Sequence, residues 1–269
     1  MAREQAGQES LVAQRLDQDP IHPARRAGLE LAAEREGDGH RLTGTKTWIS
    51  NAPDADVYVV FARTTPEAKA LGITAFVIPR DSPGLAGESL ELLSDHPVGR
   101  LQLDGVPANA DQVLGQVDRG FRVAMRTLDL FRPSVGAFSV GMAQVAFEAA
   151  GSHAANRQAF GRPIREFQAV SHLIAEMATR IEAARLMVYA AARAVDEVAD
   201  DVTRRSAMAK LFATETAQWV VDAAVQIHGA AGLQQGHLLE RLYREVRAPR
   251  IYEGTSEIQR EIIARELYR

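Results

Sequence analysis

The stretch YEGTS at residues 252–256 combines residue types that could do chemistry close to the C-terminus. Glu253 stands on a short break, and a helix-like run follows at residues 257–267. A glycine beside the acid, Gly254, lets the backbone bend or approach a ligand closely, and Thr255 suits the N-cap of the run. A carboxylate held there could act as a general base toward a bound substrate. The alternative is an ordinary helix start with a solvated glutamate.

The composition of the chain limits the classes of protein and of functional site to which this carboxylate can belong. The chain has 269 residues, of which 46% are apolar and 25% charged, as in an ordinary globular protein. A net charge of −4 and a pI near 6.0 give no basic surface for nucleic acid. The absence of cysteine excludes disulfides and thiolate metal sites, and the seven histidines have no metal-ligand spacing. We expect a cytoplasmic protein with no membrane span and no signal peptide.

The sequence pattern changes near Gly120, from strand-like runs to helical periodicity, and both kinds of element must position the carboxylate. We predict the α+β class: a small antiparallel β-domain at residues 39–117, after a polar and partly ordered segment 1–38, followed by a C-terminal α-helical bundle at residues 118–269. Three runs rich in Val, Ile, Thr, Tyr and Phe predict strands, at residues 41–50, 56–62 and 73–79.

Helical periodicity begins at Phe121, and Arg132-Pro133 is interpreted as the start of a new helix that runs to about Ala159. Further helices are predicted at residues 167–181, 203–231, 236–247 and 255–268.

Two turns that follow predicted helices carry polar groups suited to an anion or a nucleotide. RQAFGRPI at residues 157–164 has two guanidinium groups beside turn-forming Gly and Pro. AVQIHGAAG at residues 224–232 places Gln226 in an otherwise apolar run before small residues that permit close backbone approach. The alternatives are cations favoured at a helix C-terminus and an ordinary glycine stop.

Two further features have ordinary alternatives. Trp48 could stack on a planar ring with Ser50 bonding to it, or it is a half-buried strand residue. Asp129 and Arg132 share one helix face, either as a functional pair or as a surface ion pair. No Gly-x-Gly-x-x-Gly fingerprint, P-loop or Gly-x-Ser-x-Gly elbow is present.

Seven stretches, in this order, resemble the acyl-CoA dehydrogenase family of flavoproteins and span most of residues 40–269. They are GTKTWISNA (44–52), GITAFVIPRDSPG (72–84), Leu128-Asp129-x-x-Arg132, RQAFGRPI (157–164), FQAVSHLIAEMA (167–178), AVQIHGAAG (224–232) and RIYEGTSEIQR (250–260). The resemblance implies FAD as cofactor and an acyl-CoA or related acyl thioester as substrate, in lipid metabolism. It also implies an electron-transfer flavoprotein as acceptor.

The resemblance also implies roles for individual residues. Glu253 matches the base that removes the α-proton of the thioester while a hydride leaves the β-carbon for the flavin. Substrate-side positions match Asp129, Arg132 and Gly254. Cofactor positions match Trp48, Ser50, Arg157, Phe160, Gln168, Gln226, Gly229, Ala230, Thr255 and Glu257; because Arg157, Phe160 and Gln168 match contacts to a neighbouring subunit's FAD, an oligomer is implied.

The chain departs from the family pattern at its start. Only residues 1–43 precede GTKTWISNA, so we expect the family's N-terminal helical domain to be absent. The family's flavin-contacting Thr-Glu-Pro…Gly-Ser-Asp loop is not matched by residues 20–33, and Ala159 stands where Thr is common. Apolar surface left uncovered by the missing domain would favour association. We therefore expect a homo-oligomer (dimer or tetramer) or a heteromer with a second acyl-CoA dehydrogenase-like chain.

Three functions follow as hypotheses. The first is FAD-dependent α,β-dehydrogenation of an acyl-CoA, alone or as a subunit. The second is a non-oxidative enzyme that uses Glu253 as acid or base on a thioester. The third is a non-catalytic or degenerate subunit. The acyl group cannot be identified from the sequence.

Overall fold

The computed structural model describes residues 30–269, and the chain divides into two compact units at Arg126 and Thr127. The first unit contains the β-sheet and the second contains the helices. Residues 1–29, which include most of the segment predicted to be polar and partly ordered, lie outside the described residues.

The first unit is built on a six-stranded sheet. Its strands are β1 (Ala32–Glu36), β2 (Gly39–Ser50), β3 (Val57–Arg63), β4 (Ile73–Pro79), β5 (Leu85–Leu90) and β6 (Val98–Ala108). They lie in the order β4-β3-β1-β2-β6-β5. All neighbouring strands pair antiparallel except β1 and β3, which run parallel, so the sheet is not purely antiparallel. Strand β1 falls within the segment predicted to be polar and partly ordered, where no strand was predicted.

The core of the sheet unit comes from alternating strand positions. In β6, Leu101 and Leu103 are buried while Gln102 between them is exposed, as expected where one sheet face is covered. Phe76 in β4 and Leu42 in β2 complete the same buried cluster. The predicted strands at residues 41–50, 56–62 and 73–79 are therefore confirmed to within two residues at each end.

A β-bulge in β2 decides where Trp48 lies. The pairing of β2 with β6 shifts between Thr47 and Ile49, which leaves Trp48 as the extra residue. Its φ is 66° and its side chain is 68% exposed. The bulge therefore turns the indole out of the sheet rather than into the half-buried position of an ordinary strand residue.

The second unit is a bundle of long helices with small residues at the contacts, which confirms the predicted helical region. Alanines fill much of its core, among them Ala146, Ala184, Ala209 and Ala213, all fully buried. Small side chains let helix backbones approach closely. The helices are α1 (Gly120–Asn156, whose first residues belong to the other unit), α2 (Gln168–Asp196), α3 (Val202–His228), α4 (Leu238–Glu245) and α5 (Ser256–Leu267).

One sequence interpretation was wrong: Arg132-Pro133 does not begin a helix. Helix α1 continues through Pro133 without a break. Proline lacks the N–H that would bond to the carbonyl of Asp129, four residues earlier. Ser206 Oγ in α3 donates to that carbonyl oxygen at 2.7 Å. The bond from the neighbouring helix replaces the missing one, which is how the proline is accommodated.

Shorter elements connect the long helices. A two-stranded hairpin, β7 (Gln158–Ala159) with β8 (Arg162–Pro163), follows α1. The helix predicted at residues 203–231 ends earlier, at His228, because the chain continues as a 3-10 turn over Gly229–Leu233. Within residues 30–269, none of the helices has an apolar stretch that could cross a bilayer.

The close helix contacts predict a difference between two glycines of α1. A Cβ at Gly136 would lie 2.8 Å from Val188 Cγ2, whereas one at Gly141 meets nothing within 4 Å. We expect Gly136→Val to lower the free energy of unfolding by about 1–3 kcal/mol through overpacking. Gly141→Ala should raise it by about 0.5–1 kcal/mol through helix propensity. Urea unfolding followed by circular dichroism measures both; equal effects would contradict the packing described.

Candidate functional site

Glu253 and Gly254 form a sharp break in the backbone just before α5. Their φ angles are 53° and 91°, in the left-handed region where a residue with a side chain is strained. Thr255 Oγ1 then accepts a hydrogen bond from Ile258 N at 3.4 Å and serves as the N-cap of α5. The carboxylate is thus held on a constrained turn and not on a regular helix.

Three buried side chains hold this turn through its backbone carbonyls. Gln259 Nε2 donates to the carbonyl oxygens of Glu253 at 3.0 Å and of Gly254 at 2.9 Å. Lys210 Nζ donates to the Gly254 carbonyl at 2.7 Å, and Arg132 Nε to the Glu253 carbonyl at 3.4 Å. Lys210 and Gln259 are fully buried, and Arg132 is 3% exposed. The turn is therefore fixed by α1, α3 and α5 at once.

Asp129 and Arg132 form a supported pair. Arg132 Nη1 donates to Asp129 Oδ1 at 3.0 Å, and Thr203 Oγ1 donates to Asp129 Oδ2 at 2.6 Å. The low exposure of Arg132 rules out the surface ion pair that the sequence left open. The pair thus keeps the guanidinium group oriented toward the Glu253 carbonyl.

The Glu253 carboxyl lies in an environment that favours its neutral form. Its Oε2 atom is enclosed and has no hydrogen-bond partner within residues 30–269. Burial raises the pKa of Glu253, and the charges of Arg132 and Lys210 act against this without reversing it. Burial also lowers the pKa of Lys210 to about 8 and raises that of Tyr252 to about 12. A carboxyl poised in this way can accept and return a proton.

A second carboxylate, Glu215, lies beside the same turn but is fully engaged. Ser256 Oγ donates to its Oε1, and Arg250 Nη2 lies 2.8 Å from its Oε2. Burial acts to raise the pKa of Glu215, but these bonds outweigh it and lower the pKa. Glu215 therefore serves to anchor the start of α5 and is not available as a base.

The predicted cofactor residues near the end of α1 lie close together. Arg157 follows α1 directly, and its carbonyl accepts a bond from Ile164 N at 2.9 Å across the β7–β8 hairpin. Phe160 lies at the tip with φ 51° and is 96% exposed. Gln168 is exposed at the start of α2, next to Phe167, whose ring is 6.0 Å from that of Phe160.

Histidine stacking brings the end of α3 to this same region. The rings of His153 in α1 and His228 in α3 stack with centroids 4.2 Å apart. Gln226, Gly229 and Ala230 are exposed around that end of α3. Four exposed residues thus lie within four positions of the stacked histidines along the chain: Arg157, Gln226, Gly229 and Ala230.

Of the three remaining predicted residues, Glu257 is joined to the turn by a side-chain hydrogen bond with Thr255. Trp48 and Ser50 belong to the sheet unit, where Ser50 Oγ lies 3.4 Å from His96 Nε2. Glu257 is exposed in the first turn of α5, with Arg260 Nη1 3.6 Å from its Oε1.

Lys210 and Gln259 are the site residues that sequence reasoning missed. Each lies in an amphipathic helix where a polar residue is expected to face solvent. The available signal was weak: Lys210 interrupts a run of small and apolar residues, AMAKLFA at 207–213. Within residues 30–269 there is no cluster of His, Asp and Glu able to hold a metal ion.

Family comparisons cover most of the described chain. The pattern of the acyl-CoA dehydrogenase C-terminal domain matches residues 118–268, and that of the acyl-CoA dehydrogenase middle domain matches residues 24–106.

Two individual relatives also match over most of this chain. The short-chain specific acyl-CoA dehydrogenase, mitochondrial, of Homo sapiens is 40% identical over 93% of this chain, which covers 61% of that protein. The caffeyl-CoA reductase–Etf complex subunit CarC of Acetobacterium woodii is 37% identical over 88% of this chain and is covered to 63%.

The structure of butyryl-CoA dehydrogenase from Megasphaera elsdenii superposes with a TM-score of 0.89 at 33% identity, covering 93% of this chain and 66% of that one. The chain thus spans about two thirds of the length of these relatives, over their middle and C-terminal domains. It belongs to the acyl-CoA dehydrogenase family.

Proposed function

We propose that this chain takes part in FAD-dependent α,β-dehydrogenation of an acyl-CoA or related acyl thioester, with Glu253 as the base. The observation that carries the proposal is the Glu253 carboxyl itself: half-buried, raised in pKa, and with an enclosed oxygen that has no partner among the described residues. Removing an α-proton from a thioester requires a base held at a fixed position in a water-poor site. Family membership supplies the reaction class.

The exposed groups at the ends of α1 and α3 fit a dinucleotide cofactor. The Arg157 guanidinium suits the pyrophosphate, and the Gln226 amide suits a sugar or phosphate oxygen. A Cβ at Gly229 or Gly161 would meet nothing within 4 Å, so the backbone there is open to a ligand. In the proposal Phe160, Gln168, Ala230, Thr255 and Glu257 add contacts in the helical unit. Within the sheet unit, taken by itself, Trp48 and Ser50 match family positions that contact the flavin ring.

In the proposed mechanism each residue around Glu253 has a definite task. Arg132, Lys210 and Gln259 hold the turn so that the Glu253 carboxylate faces the α-carbon, and Asp129 orients Arg132. Glu253 takes the α-proton and becomes neutral, a form that its burial stabilises. FAD, when bound, supplies the oxidising power by accepting the hydride from the β-carbon.

The same residues serve the reverse direction. The relative from Acetobacterium woodii is named a reductase in an Etf complex. In reduction of an α,β-unsaturated thioester, Glu253 would deliver the proton to the α-carbon, for which a raised pKa is equally suited.

We propose an electron-transfer flavoprotein as redox partner. We also propose an oligomer as the working state, because Arg157, Phe160 and Gln168 match contacts to a neighbouring subunit's cofactor.

The first test joins an absorption spectrum to one substitution. We expect the purified protein to carry flavin absorbance that acyl-CoA bleaches. Glu253→Gln should lose about 10²–10⁴-fold in bleaching rate while retaining flavin, because the amide cannot accept the proton. Glu261→Gln, exposed on the same helix α5, is the matched control. Colourless protein that still converts a thioester would support the non-oxidative alternative, and full activity of Glu253→Gln would remove the residue from this role.

The pH dependence follows from the direction of the pKa shift of Glu253. The base must be ionised, so kcat/KM falls as the pH decreases through the pKa of Glu253 in the folded protein. Since burial raises that pKa above the ordinary 4.5, the acid limb should lie above pH 4.5. Steady-state rates across the acid range measure it, with Glu261→Gln as control. A limb at or below 4.5 would contradict the electrostatics described.

Gly254→Ala tests whether the rate depends on the shape of the turn. A Cβ at Gly254, with φ 91°, would lie 2.7 Å from Gln259 Nε2. We expect displacement of the Gln259 amide and a loss of about 10²-fold in rate from misplacement of the base. Gly236→Ala, at φ 85° with nothing within 4 Å, carries a similar strain of about 1–2 kcal/mol without the clash. Similar rates for both variants would show that the turn geometry is not critical.

A further inference from the structure

Lys210 is a fully buried lysine whose hydrogen bond goes to a backbone carbonyl rather than to a carboxylate. Its Nζ lies 2.7 Å from the Gly254 oxygen, one residue from Glu253. A buried ammonium group is costly unless it interacts with an opposite charge. The position of Lys210 in α3 therefore calls for a charged partner as well as a hydrogen-bond acceptor.

The charged groups that face Lys210 come from four places. Arg132 lies on α1, Glu215 on α3, Glu253 on the turn, and Glu257 on α5. Arg132 is already balanced by Asp129 at 3.0 Å. Glu215 is balanced by Arg250 at 2.8 Å. Glu257 is exposed, so water screens its charge.

What remains after these pairings is one cation and one carboxyl. Glu253 has an oxygen without a partner among the described residues, and Lys210 has no carboxylate among its described hydrogen-bond partners. The charge of Lys210 therefore acts on the Glu253 carboxyl alongside the charge of Arg132, which is the stronger of the two. Lys210 accordingly acts on Glu253 in two ways: its positive charge attracts the carboxylate, and its hydrogen bond holds the backbone of the turn. Neither way requires contact with a substrate.

We infer that Lys210 is a positioning residue for Glu253: its ammonium group fixes the Gly254 carbonyl, and its positive charge partly offsets the burial that favours the neutral form of the Glu253 carboxyl. The inference rests on the proposed role of Glu253 as base and adds a residue that holds this base in position. Gln259 shares the backbone task, since its amide bonds to the same carbonyl at 2.9 Å. Gln259 carries no charge, so the two residues can be separated by experiment.

The test compares Lys210→Met with Gln259→Met in the full-length protein. Each substitution removes one donor to the Gly254 carbonyl, but only the first removes a positive charge. Infrared difference spectra follow the carboxylic acid C=O band of Glu253 against pH, assigned as the band missing from Glu253→Gln. We expect the midpoint to rise by about one pH unit in Lys210→Met and to stay near the wild-type value in Gln259→Met.

Lys210→Gln, which retains a donor without the charge, should show the same rise and serves in place of Lys210→Met if that variant does not fold. An unchanged midpoint in the lysine variants, or an equal change in Gln259→Met, would overturn the inference. The titration needs no turnover. Its failure is therefore distinct from failure of the proposed function, which would be seen as Glu253→Gln keeping its full rate or the wild type oxidising no thioester.

Discussion

The helical unit depends on how two adjacent backbone carbonyls are satisfied. The oxygens of Glu253 and Gly254 point into the bundle, where Arg132, Lys210 and Gln259 donate to them. An unpaired carbonyl in such surroundings would cost about as much as a lost hydrogen bond. The strained turn persists because three helices supply these donors together, and the carboxyl side chain is left free for chemistry.

Pro133 ties the same network to the packing of α1 on α3. By lacking an N–H it frees the Asp129 carbonyl, which Ser206 in α3 then takes up. One turn of α3 beyond Ser206 comes Lys210, which reaches the Gly254 carbonyl. The hydrogen bond missing at Pro133 in α1 is thus replaced by α3, the helix that also carries Lys210. The position of α1 along α3 and the geometry of the turn at Glu253 are therefore coupled.

The sequence predicted strands β3 and β4 well, but the helix predicted at residues 167–181 covers only the first half of α2, which continues to Asp196. It also predicted the backbone break at Glu253, the N-cap at Thr255 and the shared helix face of Asp129 and Arg132. It failed at Pro133, because the rescue by Ser206 is a tertiary contact with no local signature. It missed Lys210 and Gln259, since burial of a polar side chain depends on distant partners.

The alanine-lined contact between the helices has a consequence for how this protein can vary. Ala209 and Ala213 precede and follow Lys210 on α3, and both are fully buried against neighbouring helices. A larger side chain at either position would have to push a neighbouring helix away or rotate α3 about its axis. Either movement would carry Lys210 away from the Gly254 carbonyl, so two methyl groups help to set the direction in which the lysine points.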